Sequence, residues 1–422
     1  MKLGEIGNCR ADEQIQRNCF AGIMNKKRLA VWIYRLKYPF KLWAYELLDQ
    51  WVMFSVPYQA KEKWLLFRLD LIGDYLMSRP FFKAAAQTPG WKREQGTFAG
   101  NQIYKELAEQ LDGDTFGDFV WIDRARFINS LGYRYRVLCQ IRRVGFSTVV
   151  YPSHTRQYWL ESVVRVSGAN TRITGKNVGF YMQPWEQSLT SSRYSQIIET
   201  GPIGLFEFFR NRNFFSALWP TATHIQSLLT DIETDANWVP PHDSPYFVLS
   251  PGASTANRMW PAERFAALAR LVYQHTGWKV VVLGSKAEAE LANTLTKLLA
   301  GLPVANLAGK LSLWGAMQVI KNAALLVGNE SGPIHMAATT GTKAVCISQG
   351  NHFGRWNPYP KEVAPQIQTC YPKYFGHPQT AYFQLVAQYH DGSEVDIKQL
   401  EEQDIWIKIQ ELLVQTLYIQ PS

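Results

Sequence analysis

The chain has 422 residues, 46% of them apolar and 14% aromatic, and a formal charge of +9 at neutral pH. That length exceeds one ordinary core and predicts two domains plus an appendage. The positive charge favours an anionic partner, and the lack of any recognisable nucleic-acid-binding module leaves a phosphorylated ligand or an acidic membrane surface.

Cys9, Cys19, Cys139, Cys346 and Cys370 are scattered and form no CxxC pair. A disulfide scaffold or zinc module is therefore not expected, and a reducing compartment fits better. The N-terminus has no apolar signal core. The nearest thing to a membrane span, Leu42–Val56, is interrupted by Glu46, Asp49 and Gln50, so no transmembrane helix is expected.

Residues 1–60 read as an N-terminal extension. Lys26, Lys27, Arg28, Arg35, Lys37 and Lys41 fall between Lys26 and Tyr45 without an acid, interleaved with Trp32, Tyr34, Tyr38, Phe40, Trp43 and Tyr45. Basic residues attract anionic headgroups, and Trp and Tyr favour the lipid interface. Residues 26–58 are thus either a contact to an anionic membrane surface or a helical extension packed on the protein with solvated charges. Pro39 should break or kink a single helix here. The location expected is cytoplasmic, peripheral on the inner face of the cytoplasmic membrane if the segment binds lipid.

From Lys63 the pattern changes. Trp64–Leu69 reads as a strand, Asp70–Asp74 as a turn and Tyr75–Ala86 as a helix with Pro80 inside. This is a first βα unit of a Rossmann-like domain spanning 61–225. The GxGxxG fingerprint is absent, which disfavours a nicotinamide dehydrogenase. Asp74 stands at the carboxyl edge of the strand, where ligands of open α/β sheets bind; capping the helix is its plainer role. Strands follow at Asp118–Asp123 and Ser147–Tyr151, with helices near 103–111, 132–143 and 157–166. The arginines between Arg124 and Arg143 read as solvated helix faces, with support of an anionic acceptor as the alternative. His154, just past a strand, is a candidate for the cleft wall.

Four prolines between Pro220 and Pro245 mark an interdomain connection. A second Rossmann-like series over 240–395 opens with the strand Tyr246–Ser250, the turn Pro251–Ser254 and a helix from Pro261 to about His275. Phe265, Leu268, Ala269 and Val272 give that helix one apolar face. The strand Lys279–Leu283 and helices Glu288–Leu299 and Leu313–Asn322 come next. Then VGNESGPIHMAA (Val327–Ala338) reads as a strand, a glycine turn and a helix start, with Pro333 at the first helical position and Gly341 as the stop. Free N–H groups at such a start suit a phosphate, although any βα connection has them. A strand Lys343–Ser348 follows, and residues 396–422 are a C-terminal helix expected to pack back across the lobes.

Three separated segments together resemble glycosyltransferase family 9, the ADP-heptose:lipopolysaccharide heptosyltransferases. They are FRLDLIGDYLMSRP (Phe67–Pro80), LSPGASTANRMWPAERFAALA (Leu249–Ala269) and VGNESGPIHMAATTGTKAV (Val327–Val345); Arg355–Tyr359 is similar to the family's aromatic-proline segment. The resemblance implies a GT-B fold, two Rossmann-like domains facing a central cleft, with the acceptor on the first and a nucleotide sugar on the second. It implies an inverting, metal-independent transfer with no cofactor: an ADP-linked donor gives its sugar to a lipid-linked or glycan acceptor such as a lipopolysaccharide core. Asp74 matches the family's base, with Gly73 beside it and His154 added on the acceptor side. Ser254 and Arg258 match diphosphate ligands, Glu288 the ribose carboxylate, and Glu330, Ser331, Gly332 and His335 the phosphate turn and its histidine. His335 also reads as a packed or capping residue.

The sequence departs from the family pattern at Glu330-Ser331 in place of Asp-Thr, at Arg258 in place of a frequent Lys, at Ser348-Gln349-Gly350 and at Leu71. The departures put the donor sugar in question more than the reaction type. A different nucleotide sugar, or a non-catalytic nucleotide-sugar-binding protein on the same fold, are the competing readings.

Overall fold

A computed structural model describes residues 39–89, 91–178, 182–235, 238–373, 375 and 380–417. The basic segment 26–38 lies outside the described residues. Within them are two six-stranded sheets, each wholly parallel. The first has the order β3-β2-β1-β4-β5-β6, from β1 (Lys61–Arg68), β2 (Gly96–Asn101), β3 (Asp118–Ile122), β4 (Phe146–Tyr151), β5 (Thr171–Gly175) and β6 (Gln196–Ile198). The second has the order β12-β11-β10-β7-β8-β9, from β7 (Tyr246–Ser250), β8 (Lys279–Val282), β9 (Val304–Asn306), β10 (Leu325–Asn329), β11 (Ala344–Ile347) and β12 (Ile367–Cys370). Both are doubly wound sheets whose strand order reverses beside the first strand, between β1 and β4 and between β7 and β10. Helices cover both faces, so the central strands are apolar throughout; every residue of YFVLS in β7 is buried.

Several strands carry no apolar run. β2 is GTFAGN, buried along its whole length. It holds its place because Phe98, Trp121 and Tyr104 fill the space a side chain at Gly100 would take. β10 begins at Leu325 and runs on through Gly328 and Asn329, where a turn is expected. The helix expected from Tyr75 begins a turn earlier, at Ile72, and spans Ile72–Ala86.

Residues 39–55 form one helix, of which Pro39 is the first described residue. It lies on the first domain through Leu42, Tyr45, Val52 and the following Val56. The Arg134 guanidinium, fully buried, sits 3.9 Å over the Tyr45 ring. Arg142 donates to the carbonyls of Met53 (3.1 Å) and Val56 (2.6 Å) at the helix's C-terminal end, where unpaired carbonyls and the helix dipole favour a cation. Arg165 and Arg193 pair with Glu46. Arg134 and Arg142 are therefore not the solvated faces expected: they seat the extension.

The C-terminal helix Glu402–Leu417 also departs from expectation. Ile405, Trp406, Ile409 and Leu412 join the second domain's own core. The indole N–H of Trp260 and the guanidinium of Arg264 hold the approach to it through the Leu400 carbonyl, at 2.9 and 2.6 Å. The element that reaches across to the first domain is the helix Tyr382–Tyr389, whose Val386 packs where Gly204 has no side chain.

The domains share apolar packing. One cluster runs from Leu66, Tyr75, Phe81 and Phe98 through Leu228 and Ile232 of the connection to Val248, Leu326, Ile334 and Met336. The connection is fixed to the second domain by Thr230 N–H to Thr339 O (2.9 Å) and to the first by Arg79 Nη1 to Thr230 Oγ1 (2.9 Å).

Candidate active site

Ligands of doubly wound sheets bind beyond the carboxyl ends of the strands, at the point where strand order reverses. Here the two reversal points face each other. Between them lies a cleft of about 430 Å³. Its first wall comes from the β1 turn (Asp70–Asp74) and from Thr155 and Gln157 after β4. Its second comes from Ser254 and Arg258 after β7 and from Glu330–Gly332 and His335 after β10. Arg355 and Trp356 close one side.

On the first wall, Asp74 is the third residue of the Ile72–Ala86 helix. Its carboxylate accepts from the Leu71 N–H at 3.2 Å, so it does cap the helix, and its side chain stays 19% exposed towards the cleft. Arg68, buried at the end of β1, donates Nε to Asp70 at 2.9 Å and stands 3.9 Å from Asp74 and 3.8 Å from Glu207. Burial lifts the Asp74 carboxyl from 3.8 to about 7; Asp70 and Glu207 add to the rise against the pull of Arg68 and Arg355. A carboxylate that gains and loses its proton near neutrality is suited to general-base work.

On the second wall, Arg258 Nη1 donates to Ser254 Oγ at 3.0 Å and Nη2 to the Glu330 carbonyl at 2.9 Å. Asn329 ties the two turns together, accepting from Trp260 N–H (3.1 Å) and donating to the Pro251 carbonyl (2.7 Å). The helix Gly332–Thr340 starts with Pro333 in its first turn and ends at Gly341 in the left-handed conformation, which glycine adopts without steric cost. No side chain caps its N-terminus, leaving donors and the positive end of the helix dipole turned to the cleft.

The walls meet at Gly73 and His335. A methyl group at Gly73 would lie 2.6 Å from His335 Cδ2 and 2.8 Å from Nε2, so the domains approach this closely only because residue 73 is glycine. The His335 Nδ1 is hydrogen-bonded to the Tyr359 hydroxyl. Burial, then the nearby Arg258, holds His335 down to about 4, so it is neutral at pH 7.

Two expected site residues sit elsewhere. His154 is buried behind the wall, its Nε2 3.1 Å from Glu207 Oε2, and does not line the cleft; the neighbouring Thr155 does. Burial draws His154 down to about 4. Glu288 stands outside the cleft at the adjoining strand ends, accepting from Ser285 N–H at 2.6 Å. A methyl group at Gly252 would lie 1.8 Å from Glu288 Oε1, so this carboxylate fills the space beside the Pro251–Ser254 turn. Glu330 lines the cleft, but its carboxylate turns inward, accepting from Ser348 Oγ at 2.5 Å with Arg258 at 3.4 Å. Glu330 and Ser348, both departures from the family pattern, thus partner each other.

Sequence reasoning gave no role to Arg68, Asp70, Glu207 and Arg355. Arg355, on the second domain, donates Nε to Glu207 Oε2 at 3.0 Å and receives the Glu207 N–H on its own carbonyl at 2.9 Å. Burial alone would raise the Glu207 carboxyl, but His154 and Arg355 outweigh it and hold it far below its ordinary range. Arg68 and Asp70 flank the β1 turn that drew attention to Asp74, and Arg355 lies in the aromatic-proline segment; Glu207 has no signal in its neighbourhood. Among the described residues no cluster of His, Cys, Asp and Glu is arranged to hold a metal ion.

Residues 210–373 match the model of glycosyltransferase family 9 (heptosyltransferase). The chain is 32% identical over 114 residues to the lipopolysaccharide core heptosyltransferase OpsX of Haemophilus influenzae, covering 26% of this chain and 32% of that protein. It is 31% identical over 131 residues to lipooligosaccharide heptosyltransferase 2 of Campylobacter jejuni, covering 29% of this chain and 40% of that one. The chain thus spans about a third to two fifths of the length of these curated relatives. Its fold is similar to that of E. coli heptosyltransferase WaaC, solved with ADP-2-deoxy-2-fluoro heptose. The TM-score is 0.62 at 17% identity, over 83% of this chain and 99% of that one. The chain thus has the fold of this solved heptosyltransferase, and its residues 210–373 are similar to glycosyltransferase family 9.

Proposed function

We propose that the protein is an inverting glycosyltransferase that moves a sugar from a nucleotide diphosphate onto a hydroxyl of a lipid-linked or glycan acceptor, a lipopolysaccharide core being the leading candidate. The observation that carries this reading is the facing of one near-neutral carboxylate, Asp74, with a cationic, N–H-rich turn across a single cleft. The acceptor hydroxyl attacks the anomeric carbon and gives its proton to Asp74. The bond from that carbon to the diphosphate oxygen breaks. The charge that develops on the leaving diphosphate is met by Arg258, the Ser254 hydroxyl and the uncapped helix start at Gly332. Neutral His335 supports the turn and keeps water from the seam. For Glu288, beside Gly252 and outside the cleft, the proposal is contact with the ribose of a nucleotide that extends past the Pro251–Ser254 turn. The chemistry needs no metal, because Arg258 and the helix dipole supply the positive charge.

ADP-heptose is the first donor to test, on the strength of the matched relatives. The Glu330–Ser348 pair favours a second reading, in which the same site takes another nucleotide sugar. Incubation with a panel of ADP-, UDP- and GDP-sugars and a purified core acceptor, with products read by mass spectrometry, separates the two. Tight nucleotide-sugar binding without turnover of any donor would overturn the catalytic reading.

A further inference from the structure

The 39–55 helix has a second face that the first domain does not use. Phe40, Trp43, Leu47, Trp51 and Phe54 are 74, 63, 48, 57 and 85% exposed. Their spacing of three and four residues puts all five on one stripe. The opposite face is already buried through Leu42, Tyr45 and Val52, so the stripe is not a core face awaiting its core. Next to the buried face, the helix Pro184–Ser191 exposes Trp185 and Leu189, at 54 and 45%. Tyr158 joins the two helices, packing with Leu42 on one side and lying 6.1 Å from the Trp185 ring on the other. A contiguous exposed patch of large apolar side chains marks an interaction surface.

We infer that this face docks on an anionic lipid bilayer, with the helix lying in the plane of the membrane interface. The chain immediately before the stripe is cationic: Lys26, Lys27, Arg28, Arg35 and Lys37 occur with no acid before Glu46. Cationic residues beside an aromatic stripe are what an interfacial helix needs to be drawn to acidic headgroups and held at the acyl boundary. No helix among the described residues is long and apolar enough to cross a membrane. A second copy is disfavoured as occupant because it would bring two such basic segments together. The inference does not depend on the transfer reaction.

The test is flotation of the full chain with vesicles of phosphatidylcholine alone and of phosphatidylcholine with phosphatidylglycerol. Wild type should float with the anionic vesicles and hardly with the neutral ones. The triple variant Trp43→Gln, Trp51→Gln, Phe54→Gln should bind on the order of tenfold more weakly or worse, while its affinity for ADP and its melting temperature stay at wild type. Arg35→Glu with Lys37→Glu should weaken anionic binding by about fivefold per lost positive charge or more. Wild-type flotation by the triple variant, or no flotation of the wild type, would overturn the inference. So would a wild-type dimer that the triple variant dissolves, which would make the stripe a self-association face. A triple variant melting several degrees lower would also overturn it, by showing that residues 1–38 of the chain cover the stripe.

Discussion

Replacing Asp74 with Asn should abolish transfer and, at alkaline pH, stabilise the fold. The Asn side-chain oxygen still accepts the Leu71 N–H, so the helix start is kept. Loss of a general base costs about 10²–10⁴-fold in rate, or roughly 3–5 kcal/mol of barrier. The stability effect has the opposite sign. With its folded pKa raised from 3.8 to about 7, Asp74 binds its proton more tightly in the folded chain than in the unfolded one. Stability is therefore fully present below about 3.8, is lost as pH climbs through about 7, and stays lost above it. The full rise corresponds to ~4 kcal/mol. We expect about half to appear, because Asn leaves Arg68 one partner short and is itself a buried polar group. About 2 kcal/mol is a gain of about 2–3 °C for a chain of this length, since unfolding entropy grows by about 2.1 cal/mol/K per residue. Calorimetry at pH 8.5 should show the variant melting higher than wild type, the difference vanishing near pH 4. In parallel, wild-type kcat/KM should rise with pH through about 7 to a plateau. A variant that melts lower at pH 8.5, or a wild-type profile flat from pH 5 to 9, would refute the assignment of Asp74 as a strained base.

Arg258→Ala should weaken ADP binding about 10–100-fold by calorimetric titration, as expected for a lost charge-assisted contact; Arg258→Lys should recover part of it, and unchanged affinity would remove Arg258 from the diphosphate site. Gly73→Ala places a methyl group against His335 and should cut kcat by about 100-fold through a displacement of about 1 Å, leaving ADP affinity within about twofold. Turnover at the wild-type rate would show that the seam does not set the geometry. Arg355→Ala removes a cation that lowers the Asp74 pKa, so the acid limb of kcat/KM should move to higher pH; with Glu207 short of a partner, stability should fall by roughly 3 kcal/mol. An unmoved limb would uncouple Arg355 from the base. Treatment with a strong chelator should leave turnover unchanged within about twofold; a loss restored by one divalent cation would refute the metal-independent route.

What the sequence disclosed and what it hid follow a physical division. The strand Tyr246–Ser250 was legible to its end residues because a central parallel strand is apolar on both faces. The helix after Pro261 announced itself by its start and its stripe. β2 was hidden because GTFAGN has little strand character of its own, and Tyr104 and Trp121 from outside the strand join its Phe98 in filling the space at Gly100. Arg134 and Arg142 read as surface residues because nothing in their own helix reveals the extension that packs on them. The site divides the same way. Asp74, Arg258 and the Gly332 helix start belong to local strand-turn-helix patterns. The Arg68–Glu207–Arg355 linkage joins residues far apart in sequence, and only the two facing sheets bring them together. His154 was misplaced by one position: its strand was read correctly, but which residue after the strand faces the cleft depends on the turn.

The apolar cluster that crosses from one lobe to the other gives the molecule an all-or-none character. Each half has a core of its own on its far side, but the face towards the other half is closed only by that other half. Ile334 and Met336 of the second domain and Phe81 and Phe98 of the first belong to one continuous packing unit. Expressing either lobe alone would expose that seam to water, so fragments of this chain should aggregate where isolated domains of other proteins fold. The same continuity makes local loosening at the connection costly, since Leu228 and Ile232 are stitched into both sides. Any opening of the cleft is then expected to proceed by sliding of packed side chains across the seam, in small steps, and not by a free swing about a linker.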